Sequence, residues 1–175
     1  MKKAIVTILA VGMLVNALPA NAWTTTQQYE VHRNKLTTQT ILHHHSSKPV
    51  VKRVTKAGTL ILCRTAYETA TSVSKLGFHV WTFGIKAHFC YDGTSVSGIK
   101  WDTPYGTTAS WTNWDWVQAD SYVQAQGGGS GQAYAYLREG GHFSICLWWY
   151  CSNRHPWVSL TLRADGMSPG GGSIG

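Results

Sequence analysis

Between Trp157 and Arg163 the chain alternates strictly: Val158, Leu160 and Leu162 are apolar, while Ser159, Thr161 and Arg163 are not. A side-chain period of two is the mark of a strand with one buried face. From Gly58 onward no stretch carries an apolar stripe at helical spacing, so this period governs the whole body of the chain. Leu60-Ile61-Leu62 opens a strand that runs past Cys63. Phe78 to Tyr91 is rich in aromatic and β-branched residues, with Gly84 at a natural bulge position. Asp92-Gly93 then predicts a tight hairpin, because a type I′ turn needs φ > 0 at both central residues. A two-residue loop there sets Tyr91 against Thr94, Cys90 against Ser95 and Phe89 against Val96.

Gln132–Arg138 and His142–Tyr150 predict a second hairpin around Glu139-Gly140-Gly141, a three-residue loop with glycine where a bulge requires it. Its apolar face, Ala133, Ala135, Leu137, Phe143, Ile145 and Leu147, is the expected core. Trp111 to Ala125 supplies one or two further strands, and Gly127 to Gly131 reads as a flexible connection. Short strands separated by turns match an all-β fold, a small antiparallel β-sandwich of immunoglobulin-like or jelly-roll-like kind, over residues 58–165. The glycine-rich tail, 166–175, reads as disordered.

The N-terminus reads differently. Met1-Lys2-Lys3 is a positive start, Ala4 to Val15 is apolar, Asn16 and Pro19 break the run, and Ala20-Asn21-Ala22 is a small-x-small cleavage site. The apolar run covers roughly 18 Å as helix, short of a bilayer core of about 30 Å. Residues 1–22 are therefore expected to be a signal peptide cleaved after Ala22, leaving a secreted protein with no transmembrane segment. The compact signal suggests a bacterial source. In an oxidising compartment Cys63, Cys90, Cys146 and Cys151 are expected to form two disulfides. Three pairings are open. Cys63–Cys90 with Cys146–Cys151 is expected, and the second bridge demands a sharp bend near Trp149-Tyr150. The rival, Cys63–Cys146 with Cys90–Cys151, needs no such bend. No C-x-x-C pair is present to favour zinc, and no cofactor is expected.

The charge is concentrated. Without Lys2 and Lys3 the formal charge falls from +7 to +5. Between Trp23 and Ala57 stand Arg33, Lys35, Lys48, Lys52, Arg53 and Lys56 against Glu30 alone. From Gly58 to Asp165 seven positive residues balance seven negative ones. Residues 23–57, polar and without a sustained period, are read as a flexible basic arm that serves as a solubilising linker or meets an anionic cell-wall polymer or membrane. Deleting it is expected to leave the thermal midpoint nearly unchanged. Nucleic acid is not an expected partner, since the body is neutral and the destination extracellular. His43-His44-His45 on a flexible arm would bind metals only adventitiously, and no metal site is assigned.

Nine tryptophans are the most unusual feature of the composition. If the Trp149 face is core, Trp148 joins Tyr134, Tyr136 and Tyr150 in an outward aromatic strip beside Arg138 and His142, with Trp114 and Trp116 on a common side of their own strand. Flat rings flanked by hydrogen-bonding groups suit sugar faces, and buried rings between two sheets would look the same. Catalytic signatures are missing: there is no G-x-S-x-G, H-E-x-x-H or phosphate loop. His79, His88, His142 and His155 are candidate bases. Asp102, Asp115, Asp120 and Glu139 are candidate acids, whose separations sequence leaves open. No catalytic residue is assigned. The expected function is a non-catalytic exported module binding a surface polymer, with a glycan favoured. The alternative is a secreted effector or antimicrobial protein acting at anionic membranes.

Overall fold

A computed structural model describes residues 27–31, 38–129 and 131–173. The predicted signal peptide and residues 23–26 and 32–37 of the predicted arm lie outside them. Among the described residues twelve strands are seen: β1 Gln27–Val31, β2 Thr38–Ser46, β3 Val50–Val54, β4 Leu60–Ser74, β5 His79–Tyr91, β6 Val96–Trp101, β7 Tyr105–Thr108, β8 Trp114–Gly127, β9 Tyr134–Leu147, β10 Tyr150–Arg154, β11 Trp157–Arg163 and β12 Gly170–Ser173. They form two antiparallel sheets, as the all-β sandwich reading requires. β1-β2-β4-β5-β6 make up the first, with β3 on β4 and β7 on β5. The second runs β10-β9-β11-β12, with β8 on β9.

The core lies between the sheets. Ala66, Ala70, Phe83, Ile85, Ala87 and Phe89 face Ala135, Leu137, Phe143, Val158, Leu160 and Leu162, all essentially fully buried. Trp81 stacks on Phe143 at 4.7 Å between ring centroids, and Trp116 contacts Phe83 at 5.7 Å and Phe143 at 4.9 Å. Alternation along β11 therefore read correctly, as did Ala135, Leu137 and Phe143 of the predicted β9 face, whereas Ala133 is exposed ahead of β9 and Ile145 is only half-buried.

Four expectations change. First, the basic arm is not an arm from residue 38 onward. β2 pairs with β4 over its whole length and β3 pairs with the start of β4. β2 carries few apolar residues because its inward positions are Thr40, Leu42, His44 and Ser46, of which Leu42 alone is hydrophobic. Second, the tail is not disordered through its length: β12 pairs with β11, and Ser168 is buried. Third, Glu139-Gly140-Gly141 is no turn. β9 runs straight through it, paired with β8 on one side and β11 on the other. A Cβ on Gly141 would lie 2.6 Å from Phe83 Cδ2 and 2.8 Å from Trp116 Cζ3, so this glycine admits rings rather than a bend. Fourth, the Asp92-Gly93 hairpin exists, but its loop is longer than two residues: Tyr91 pairs with Val96 and Cys90 with Ser97. Asp92 Oδ1 accepts from the Thr94 and Ser95 backbone N–H groups at 2.9 and 2.7 Å, which fixes the turn.

Both expected disulfides are present, each joining directly paired residues: Cys63–Cys90 across β4 and β5, and Cys146–Cys151 across β9 and β10. Each staple therefore lies within one sheet. The bend that allows the second is at Trp148-Trp149, one residue earlier than expected, because Tyr150 already pairs back with Leu147.

Candidate functional site

The predicted aromatic strip is divided by this fold. Trp114 and Trp116 pair with Ile145 and Phe143 and pack partly buried against the core, so they are not on an outer face. Tyr134 and Tyr136 stand opposite Arg163 and Thr161, at the start of β9. Trp148 follows twelve residues after Tyr136, about 40 Å along an extended strand. Arg138 lies over the Trp157 ring at 4.0 Å from its centroid. His142 bonds Asn153 Oδ1 at 3.1 Å and stacks on His155, whose Nδ1 is 3.3 Å from Asp120 Oδ1. Neither polar neighbour accompanies the Trp148 ring.

Trp148, Trp149 and Tyr150 do come together, at the tip of the β9–β10 hairpin. Their exposures are 92%, 89% and 65%. The condition that the Trp149 face be core is not met, because neither tryptophan is in a strand. Trp148 has φ of 60°, the left-handed region usually left to glycine at the first position of a type II′ turn. For a bulky residue that conformation costs roughly 1–3 kcal/mol, and the Cys146–Cys151 bridge closes the loop across its base. A strained tryptophan fully in solvent contributes nothing to the core.

Two more apolar tips, which sequence reading missed, lie at the same end of the sandwich. Ser74 and Phe78 close the β4–β5 turn, with Leu76 82% and Phe78 59% exposed. The turn between β7 and β8 presents Trp111, whose ring meets that of Phe78 edge-on at 6.3 Å. The Trp81–Phe143 stack aligns this end of both sheets, and the Trp114–Ile145 pair sends the β7–β8 and β9–β10 turns off the same edge. The three tips, 74–78, 109–113 and 147–151, carry Lys75 and no carboxylate. An available signal was the placement of Leu76 and Phe78 around Gly77, where a turn exposes what a strand would bury.

The acid and base candidates are scattered. Asp102 holds Lys86 Nζ at 2.7 Å, and this bond keeps its carboxyl below the ordinary range. Asp92 is lowered to about 2 by the two turn N–H groups. Asp115 is exposed, and the Asp120 carboxylate faces outward beside Gly140. Glu139 is buried on the core side, and burial raises its pKa. Asp120 and Glu139 thus stand on opposite faces of one sheet. His79 bonds Thr82, and His88 bonds Thr65. One unforeseen serine–histidine–carboxylate chain does exist: Ser168 Oγ to His44 Nε2 at 3.3 Å, and His44 Nδ1 to Glu68 Oε2 at 2.9 Å. Ser168 is 4% and Glu68 1% exposed, so this chain clamps the β11–β12 segment onto β2 and β4 from within. Alternation turns His43 and His45 outward, away from His44, so the three imidazoles do not converge. Among the described residues no group of three metal-ligating side chains occurs, and no helix is long and apolar enough to cross a membrane. No protein-family model matches the chain, and comparisons with curated proteins and with solved structures find no match.

Proposed function

We propose that this chain is an exported, non-catalytic surface-binding module that attaches to anionic membranes through its aromatic end. The observation that carries the proposal is the set of six exposed apolar side chains on three turns at one end of the sandwich. At 150–250 Å² for an aromatic side chain, they present on the order of 800 Å² to solvent in sum over the three turns, and the Phe78–Trp111 contact joins two of those turns. Tryptophan and tyrosine favour the bilayer interface, where the ring is buried and its polar edge stays wet. Lys75 beside Leu76 supplies a positive charge and no tip supplies a negative one. The Trp148 and Trp149 rings meet edge-on at 78°, which makes a wedge and not a flat platform for a sugar. The two disulfides support the export reading, with residues 1–22 as the signal.

The glycan reading keeps one favourable observation. Tyr134 and Tyr136 lie with Thr161 and Arg163 on the outer side of the five-stranded sheet, rings beside hydrogen-bonding neighbours. Sedimentation with vesicles of phosphatidylcholine and phosphatidylglycerol separates the two. If half of the two tryptophan surfaces leaves water, about 200 Å² at ~25 cal/mol/Å² is worth roughly 5 kcal/mol. Trp148→Ser with Trp149→Ser should then weaken partitioning at least about a hundredfold. No vesicle binding by the wild type, with retention on insoluble polysaccharide that Tyr134→Ala and Tyr136→Ala abolish, would replace the membrane reading with the glycan one.

A further inference from the structure

At the end of the first sheet away from the aromatic tips, the strands β3, β4, β5 and β6 enclose a groove of about 500 Å³ on the outer face. Its floor is the Cys63–Cys90 bridge with Thr65 and His88, hydrogen-bonded to each other at 2.6 Å. Lys52 stands on one wall and Lys100 on the other. Both walls are irregular at this point. β3 slips register between Val51 and Arg53, which leaves Lys52 as the extra residue. β6 slips opposite the segment between His88 and Cys90, where Gly98 takes φ of 58° and comes down on the Cys90 sulfur. Bulges re-aim side chains and concentrate next to binding sites, and here two of them flank one cavity.

Positive charge predominates along the β3 wall. Between Val31 and Tyr67 the chain contains no acidic residue, and Lys48, Lys52, Arg53 and Lys56 all fall in or beside β3. The basic stretch that the sequence reading placed on a flexible arm is thus a fixed wall. Asp102, the carboxylate near His88, is engaged by Lys86 at 2.7 Å and sits 3.6 Å from His88 Nε2. Lys52, Lys100, His88 and Thr65 line the groove together with a partly apolar surface of Val50 and the disulfide. A cavity of this size takes a small-molecule group, with the few polar contacts setting its orientation.

We infer that this groove is a binding site for a phosphate ester, its phosphoryl oxygens held between Lys52 and Lys100 and its organic part against the disulfide and Val50. The inference is independent of the membrane proposal, because it uses none of the aromatic tips. Amide chemical shifts of the protein would be followed during titration with glucose 1-phosphate and with inorganic phosphate at fixed ionic strength. Saturable shifts are expected at Cys63, Thr65, His88, Gly98 and Lys100, with the ester binding more tightly. Lys52→Gln with Lys100→Gln should weaken it about tenfold. Lys48→Gln with Lys56→Gln removes the same charge outside the groove and should change it less than about twofold. Equal weakening by the two double variants would reduce the effect to net charge and overturn the site. So would shifts that never saturate. Equal affinity for the two ligands would overturn the ester assignment.

Discussion

Gly141→Ala tests whether the glycine pair in β9 serves close packing or a turn. The new methyl would lie 2.6 and 2.8 Å from Phe83 Cδ2 and Cε2 and 2.8 Å from Trp116 Cζ3. Ordinary carbon contacts begin near 3.5 Å, so two rings must retreat by close to 1 Å. Phe83 is fully buried, and Trp116 is wedged against Phe83 and Phe143. Overpacking of this kind costs roughly 1–3 kcal/mol, and the involvement of two aromatic rings points to the upper half of that range. A loss of about 2 kcal/mol should lower the midpoint of thermal unfolding by roughly 4–8 °C in a chain of this size. Urea denaturation in two backgrounds gives the decisive comparison. With Phe83→Leu in place, room opens beside residue 141 and the cost of the alanine should fall by at least about 1 kcal/mol. The same cost in both backgrounds would refute the packing argument and return the glycine to a backbone role.

Leu42 is 3% exposed and reaches Gly172 of β12 across the sandwich. Leu42→Ala should therefore cost about 2–4 kcal/mol in urea denaturation, where an arm would show no change. For the same reason, deleting residues 23–57 should lower the thermal midpoint sharply. Glu68 has its pKa raised, chiefly by burial and against the opposing bond from His44. Its contribution to stability is therefore full below the unfolded carboxyl range and declines as pH rises through the folded value. Glu68→Gln keeps an acceptor for His44 and does not titrate. Its thermal midpoint should gain on the wild type as pH rises above about 4.5, and a gap that stays constant with pH would contradict this.

Legibility followed locality. β11 was readable because each of its inward residues is apolar and its outward ones polar, and Val158, Leu160 and Leu162 are indeed fully buried. β2 was not, because polar groups fill three of its four inward positions, and two of them find their partners far away: His44 on Glu68, and Ser46 on Arg64. No local pattern reports a contact between residues 24 positions apart. Gly140-Gly141 satisfied a turn rule, yet the reason for glycine there is a ring on the opposing sheet. At the candidate site, the aromatic tally was legible but its placement was not. The Trp148-Trp149 turn lacks the glycine or asparagine that announces such loops, so two turn residues read as strand. The disulfide pairing was reachable, since Cys63 and Cys90 lie on strands joined by one hairpin.

Both disulfides lie inside a sheet, and neither crosses between sheets. Mechanically, the molecule is two separately riveted plates held together by an unriveted aromatic layer and by the chain running from β7 to β8. A load pulling the plates apart meets no covalent cross-link between them. It meets van der Waals contacts around Trp81 and Phe143, the His44–Glu68 clamp, the Arg64 bond to the Gly166 carbonyl, and backbone hydrogen bonds joining Val96 to Gln132 and Gly129 and Gly93 to Ala164. Oxidation therefore toughens each plate against shear along its strands and leaves the seam as the place where the sandwich yields.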